Sequence, residues 1–449
     1  MRDLFRTLRN IFKIPELRSR ILFTLLLLAV FRLGTFVILP GVDSIQLLNS
    51  FSGNSSGGNL LDLFNIFLGG AFQRGSILAL GIMPYISASI VVQLLGAVVP
   101  AIQKLRNEGE SGQKKQNQLT RLLTIVITFG QAVSYLYYLN GQYPDAIIND
   151  NFFFRFICVM ILTAGTMFLV WVGERITDNG IGNGTSLIIM IGIISEFPPA
   201  LINEARSTLP MIFFIEILAL SAVTMAVIAL TQATRKIPIN YARQMATNRV
   251  AAQMGGGVSR RDYIPLKINS AGVMPIIFAQ AIMFLPTTLI QLAGSDSLSS
   301  VTAALSDPTG VWYNAIFFLL IVVFTYFYTA IAINPNEIAD MLKRNGGFIP
   351  GIKPGKRTAS YIDNILSKVT LPGSVFLAIV AIFPSIATVL GASGSFAQFF
   401  GGTTLLIMIG VVLDTLQQIE SYLLMRHYDG LMQTGRIKGR QRSGGLPVS

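Results

Sequence analysis

Histidine and cysteine are all but missing from this chain: its 449 residues include one of each, His427 and Cys158. The cysteine sits inside an apolar run, so no disulfide forms within the chain and no thiolate metal site is available. The histidine lies beyond the last apolar run, which excludes a Ser-His dyad at membrane depth, and no HExxH zinc motif occurs. The apolar runs also lack a paired-aspartate motif. No phosphate-binding loop is present either; the nearest approach, GIKPGKR, lacks the Walker spacing and its Ser/Thr. Charge is scarce too, at 12% of residues, about half the share in a soluble domain. What fills the chain is apolar: 52% hydrophobic residues and a mean hydropathy of +0.60. These proportions, with no cofactor or metal motif, describe a polytopic membrane protein.

A helix needs roughly 20 apolar residues to cross a bilayer. Runs of that kind predict ten spans, at 21–40, 75–98, 121–139, 152–173, 185–203, 211–232, 269–292, 312–333, 370–391 and 402–423. The first follows a basic, amphipathic arm (residues 1–20) and is too long for a signal-peptide core, so a retained span is expected. Thirty of the 34 Lys and Arg fall in the arm, in alternate loops and in the tail 424–449. The positive-inside rule then predicts both termini in the cytoplasm, which an even number of spans satisfies. That rule explains most of the net charge of +12. The loops 233–268 and 334–368 exceed it in length and carry helix-like polar stretches such as NYARQMATNRVAAQM. Such loops are either solvated connections or docking surfaces for an acidic or phosphate-rich partner.

Two pairs of segments repeat. Gly81 to Ile86 matches Gly272 to Ile277 in four of six positions, and Gly184 to Gly192 matches Gly402 to Gly410 in seven of nine. Spans two and seven, and five and ten, are the pairs that duplication of five spans produces. An odd number of spans per half inverts one half relative to the other, with the functional centre at their interface. Gly and Pro interrupt spans two and seven, which predicts bendable helices along a movable seam. The repeat selects Ile86, Ile277, Ile189 and Ile407. Each alone reads as a core or lipid-facing side chain; together they predict an apolar ring that gates by excluding water. Just before span two, NLLDLFNIF is too short to cross and stops at Gly69-Gly70. It reads either as a re-entrant plug or as a peripheral interfacial helix. Inverted repeats also suit a secondary transporter, but the ionisable residues within spans (Arg32, Glu196, Glu216, Asp414) lie outside the symmetric centre.

Several long motifs in order, FNIFLGGA, ALGIMPYISASI, EGESGQKK, GIGNGTS, INYARQ, PLKINSAGVMP, the stretch from INPNEIADMLKRNGG to RTASYID, and GGTTLLIM, resemble the SecY/Sec61 alpha family over nearly the whole chain. The resemblance implies an all-α channel of ten transmembrane helices in two inverted five-helix halves, 21–206 and 207–423, around a central pore. It implies a pore ring of Ile82, Ile86, Ile189, Ile277 and Ile407, with Thr185 replacing a further apolar member. The plug would span about 59–70, including Asn59, Leu60, Leu61, Phe64, Asn65, Phe67, Gly69 and Gly70. A lateral gate between spans two and seven would carry Ser87, Gln93 and Asn269. Docking would use Arg243, Arg249, Lys353, Pro354 and Gly355, with Lys353 standing where the family usually has an arginine and so losing its bidentate fork. The implied partners are SecE, SecG, the SecA motor, the ribosome, a YidC-type insertase, signal-bearing polypeptides and membrane lipid. The implied location is the bacterial cytoplasmic membrane, and the implied activity is passive conduction of unfolded chains.

Overall fold

The computed structural model describes residues 14–53, 65–100, 102, 108–147, 151–241, 262–269, 272–293, 310–389, 391–392, 394–399 and 402–434. Among these, a helix occupies each expected span. In the first half they are α1 (Pro15–Gly34), α3 (Met83–Val98), α4 (Glu110–Gln142), α5 (Phe152–Asn179) and α6 (Gly184–Ser207), with a short α2 (Ser44–Gly53) between the first two. The second half holds α7 (Pro210–Gln232), α8 (Met274–Ala293), α9 (Val311–Ala332), α11 (Lys356–Val389) and α13 (Gly402–Thr434), with α10 (Pro335–Arg344) and α12 (Gly394–Ala397) as short additions. Seven of them, α4 to α7, α9, α11 and α13, are long and apolar enough to cross a membrane unaided. On α7 only Val227 is buried, so this helix gives nearly its whole surface to its surroundings.

Two expected spans are corrected. Residues 35–40 and 75–82 are irregular backbone rather than helix, and they satisfy each other. Leu39 N donates to the Gly75 carbonyl at 2.8 Å, Ile77 N donates to the Val37 carbonyl at 2.9 Å, and Ile38 bridges Ser76. Unwound backbone survives at membrane depth only where protein buries and pairs it, and Leu39, Leu78 and Ala79 are all at most 2% exposed.

The all-α expectation also misses a small sheet. β1 (Thr234–Tyr241) pairs antiparallel with β2 (Asp262–Lys267) from Thr234↔Lys267 to Ile239↔Asp262, and β3 (Gly347–Phe348) joins the other edge of β1. The stretch read as helix-like begins inside β1, where Ile237 and Ile239 alternate with exposed neighbours at the period of a strand. Those two residues pack with Leu266, Leu342, Ile349 and Ile362 beneath α10 and the start of α11. α10 is well delimited: Asn334 caps its first turn by accepting from Asn336 N at 3.2 Å, Pro335 opens it and Lys343 and Arg344 complement its last turn. The main apolar core crosses both halves, joining α1, α3, α5 and α6 to α8, α9, α11 and α13.

Candidate functional site

The site is built by four helix beginnings. α3 starts at Met83 and α8 at Met274, each two residues after a left-handed glycine (Gly81 at φ +56°, Gly272 at φ +64°) and each with a proline in its first turn. The Gly and Pro expected to bend the seam helices therefore start them instead. Proline suits a first turn, where its missing N–H would have had no partner. α6 and α13 start at the repeat-matched Gly184 and Gly402.

This common origin fixes the isoleucines. Ile86 and Ile277 stand three residues into α3 and α8, and Ile189 and Ile407 five residues into α6 and α13. All four line one central cavity together with Phe67, and all are at most 7% exposed. The space left among them is ≈ 20 Å³, room for about one water. Ile82 packs in the same core but is not on the cavity wall. Thr185 is not on it either. Its hydroxyl donates to the Asn183 carboxamide at 2.7 Å, and its methyl group faces Gly173 on α5.

Of the expected plug, Asn65, Phe67, Gly69 and Gly70 are described, whereas Asn59, Leu60, Leu61 and Phe64 lie outside the described residues. Residues 65–67 form a helical turn, closed where the Asn65 carbonyl accepts from Gly70 N at 2.9 Å and its side chain accepts from Gln73 N at 3.2 Å. Phe67 then projects into the cavity wall. The turn leans on α6 so closely that a Cβ at Gly192 would stand 2.3 Å from the Phe67 carbonyl oxygen.

The three seam residues fall in three separate cavities. Ser87 lines the central one and donates to the Met83 carbonyl of its own helix at 3.2 Å. Gln93 donates to Ser89 at 3.1 Å and lines a polar cavity of ≈ 290 Å³ between α3, α4 and α9. Asn269 precedes α8 beside Lys267, Asp414 and Gln417, and its carboxamide oxygen is buried without a partner. Of the docking residues, Lys353, Pro354 and Gly355 form an exposed turn before α11, held where Thr358 donates its hydroxyl to the Lys353 carbonyl at 3.0 Å. Arg243 and Arg249 lie outside the described residues.

Sequence reasoning missed two amides on the central cavity, Gln131 of α4 and Gln280 of α8. Each is a lone glutamine in an apolar run, and that was the available signal. It also set Arg32 and Glu196 outside the symmetric centre without a partner for either, and both reach the turn at Gly69-Gly70.

A family model described as SecY matches residues 76–416. The protein translocase subunit SecY of Chlamydia muridarum is 40% identical over 97% of this chain and all of its own length. That of Thermus thermophilus is 42% identical over 96% of this chain and 98% of its own. Among solved structures, one titled as a protein conducting channel superposes with a TM-score of 0.64 at 16% identity, over 94% of this chain and 95% of that one. A second, whose title assigns its plug domain to stabilising the closed state and maintaining a membrane seal, gives 0.63 at 16% identity over the same shares. Sec61 in a canine ribosome-channel complex gives 0.60 at 15% identity, again over 94% and 95%.

Proposed function

Since the chain belongs to the SecY family and is the channel-forming subunit of a protein translocase, we propose that an unfolded polypeptide threads the collar of Ile86, Ile189, Ile277 and Ile407. The carrying observation is the meeting of these four side chains, from four helices, around ≈ 20 Å³ of space. A branched apolar collar makes no fixed hydrogen bonds or ion pairs, so it can close around a strand of any sequence and exclude water when idle. Ile82 backs this collar from the same core, and Thr185 stands outside it.

Residues 59–70 act as the plug, with Phe67 as the part seated at the collar. The seam between α3 and α8 opens sideways to lipid, with Ser87, Gln93 and Asn269 as its polar steps and Gln280 of α8 and Gln131 of the adjoining α4 beside Ser87 on the central cavity. The sheet side of the molecule faces the cytoplasm of a bacterial cell, where the basic loops around β1–β2 and Lys353 dock the ribosome or a SecA motor. The motor, the ribosome or the membrane potential supplies the work, and SecE, SecG and a YidC-type insertase complete the assembly. The two halves, 21–206 and 207–423, part along this seam.

A cross-link tests the threading. Cys158→Ser removes the native thiol, Ile277→Cys places one at the collar, and a secretory chain with a single cysteine is stalled halfway through export. A disulfide that depends on the position of that cysteine, and disappears when the signal sequence is deleted, is the expected result. An engaged chain that cross-links only at lipid-facing control positions would refute the collar.

A further inference from the structure

Arg32 lies in the last turn of α1, the helix of the first expected span, where an ionisable side chain calls for a named partner. Its partner is backbone: the guanidinium Nη1 donates to the Gly69 carbonyl at 2.6 Å. Gly69 and Gly70 are both left-handed, at φ +61° and +81°, so this turn leaves the helical hydrogen-bond ladder. Gly69 is buried, a buried carbonyl without a donor is penalised, and Arg32 removes that penalty.

α6 closes the arrangement from the other side. A Cβ at Gly69 would meet Arg32 Nη1 at 2.8 Å and Ser195 Oγ at 2.7 Å, and one at Gly70 would meet Glu196 Oε1 at 2.7 Å. Glu196 is thus an anion on the far side of two glycines whose left-handed backbone disfavours most side chains. Arg74 supplies a second guanidinium, which shares the Phe36 ring with that of Arg32 at centroid distances of 4.6 and 5.0 Å.

We infer that Arg32 is the positioning residue of the closed channel, holding the turn at Gly69-Gly70 against Glu196 so that Phe67, two residues earlier, stays at the collar. The inference rests on the plug reading. Displacing Phe67 from the collar requires this turn to leave Arg32, which makes the clasp a second closing element beside the isoleucines.

The test is the idle conductance of the purified translocase complex in a planar bilayer, with no substrate added. Arg32→Gln is expected to raise the frequency of conducting events about tenfold, in line with losing one charge-assisted hydrogen bond. Arg32→Lys, which retains the cation, should recover part of the closure. In a channel lacking residues 60–67 the same Arg32→Gln change should add nothing. If that deletion itself leaves idle conductance unchanged, the plug reading fails and the clasp with it. If the deletion opens the channel but Arg32→Gln does not, the clasp alone is overturned. An equal effect of Arg32→Gln with and without residues 60–67 signals general loosening and also overturns it. Should Arg32→Gln fail to accumulate in the membrane, Glu196→Gln carries the same test with the same expected direction.

Discussion

Gly192 of α6 touches the carbonyl of Phe67 so closely that no side chain fits between them: a Cβ there would lie 2.3 Å from that oxygen and 3.3 Å from Gly69 N. Both atoms are backbone, so neither can swing aside. Its repeat partner Gly410 meets only the Val273 methyl Cγ2, at 2.0 Å, which a rotamer change can relieve.

Gly192→Ala should therefore push the plug turn off α6, with about 1–3 kcal/mol of overpacking appearing as a lower Tm of the purified complex and a raised idle ion leak. Gly410→Ala should lower Tm less and leave the leak near wild type. Equal leaks from the two variants would refute the distinction.

Ile277 and Ile90 are both buried, at 7% and 3% exposure, but only Ile277 lines the central cavity. Truncating either to alanine removes about 2–5 kcal/mol of packing. Only Ile277→Ala should raise ion flux through proteoliposomes, by about tenfold. Parallel loss of Tm with unequal flux is the expected pattern.

Thr185→Val should leave the idle leak unchanged within about twofold, because Thr185 is bonded to its own cap and turned toward Gly173. Asn183→Ala, which removes the cap of α6, should cost about 1 kcal/mol in a denaturation midpoint. A leak from Thr185→Val would return that residue to the ring.

How much of this was legible beforehand differs by element. The meeting of Ile86, Ile189, Ile277 and Ile407 at one cavity was, because the repeat marks equivalent positions whatever the geometry between them. The start of α3 was not: an apolar run records where lipid or core can be, not where hydrogen bonding begins, so Gly81 and Pro84 looked like defects inside a helix. The strand at Ile237 and Ile239 carried a readable alternation, outweighed by the helix formers that follow it. Arg32 and Glu196 stood out as charges within spans, but nothing local told what they meet. They belong to α1 and α6, and only packing brings both to Gly69-Gly70.

Ile237 is 2% exposed at the centre of the sheet, and Ile237→Asp should unfold that sheet locally through an unpaired buried charge. Motor-driven export should fall by more than tenfold while the idle leak stays at wild type. A leak would mean that the sheet braces the pore itself.

Lys353 sits exposed on the turn before α11. Lys353→Ala should reduce the slope of log affinity for ribosomes against log salt by about one unit, as expected for one phosphate contact. Lys353→Arg should tighten binding by restoring a fork geometry. An unchanged slope would remove this turn from the docking surface.

The four helix beginnings have one more effect. Each of these isoleucines lies within two turns of a helix start. Every such start carries about half a positive elementary charge from its aligned peptide dipoles. Four positive helix ends thus lie close to the cavity among these isoleucines, and none of the described residues lining it is acidic. That partial positive charge makes the cavity less hospitable to a bare cation than to an anion.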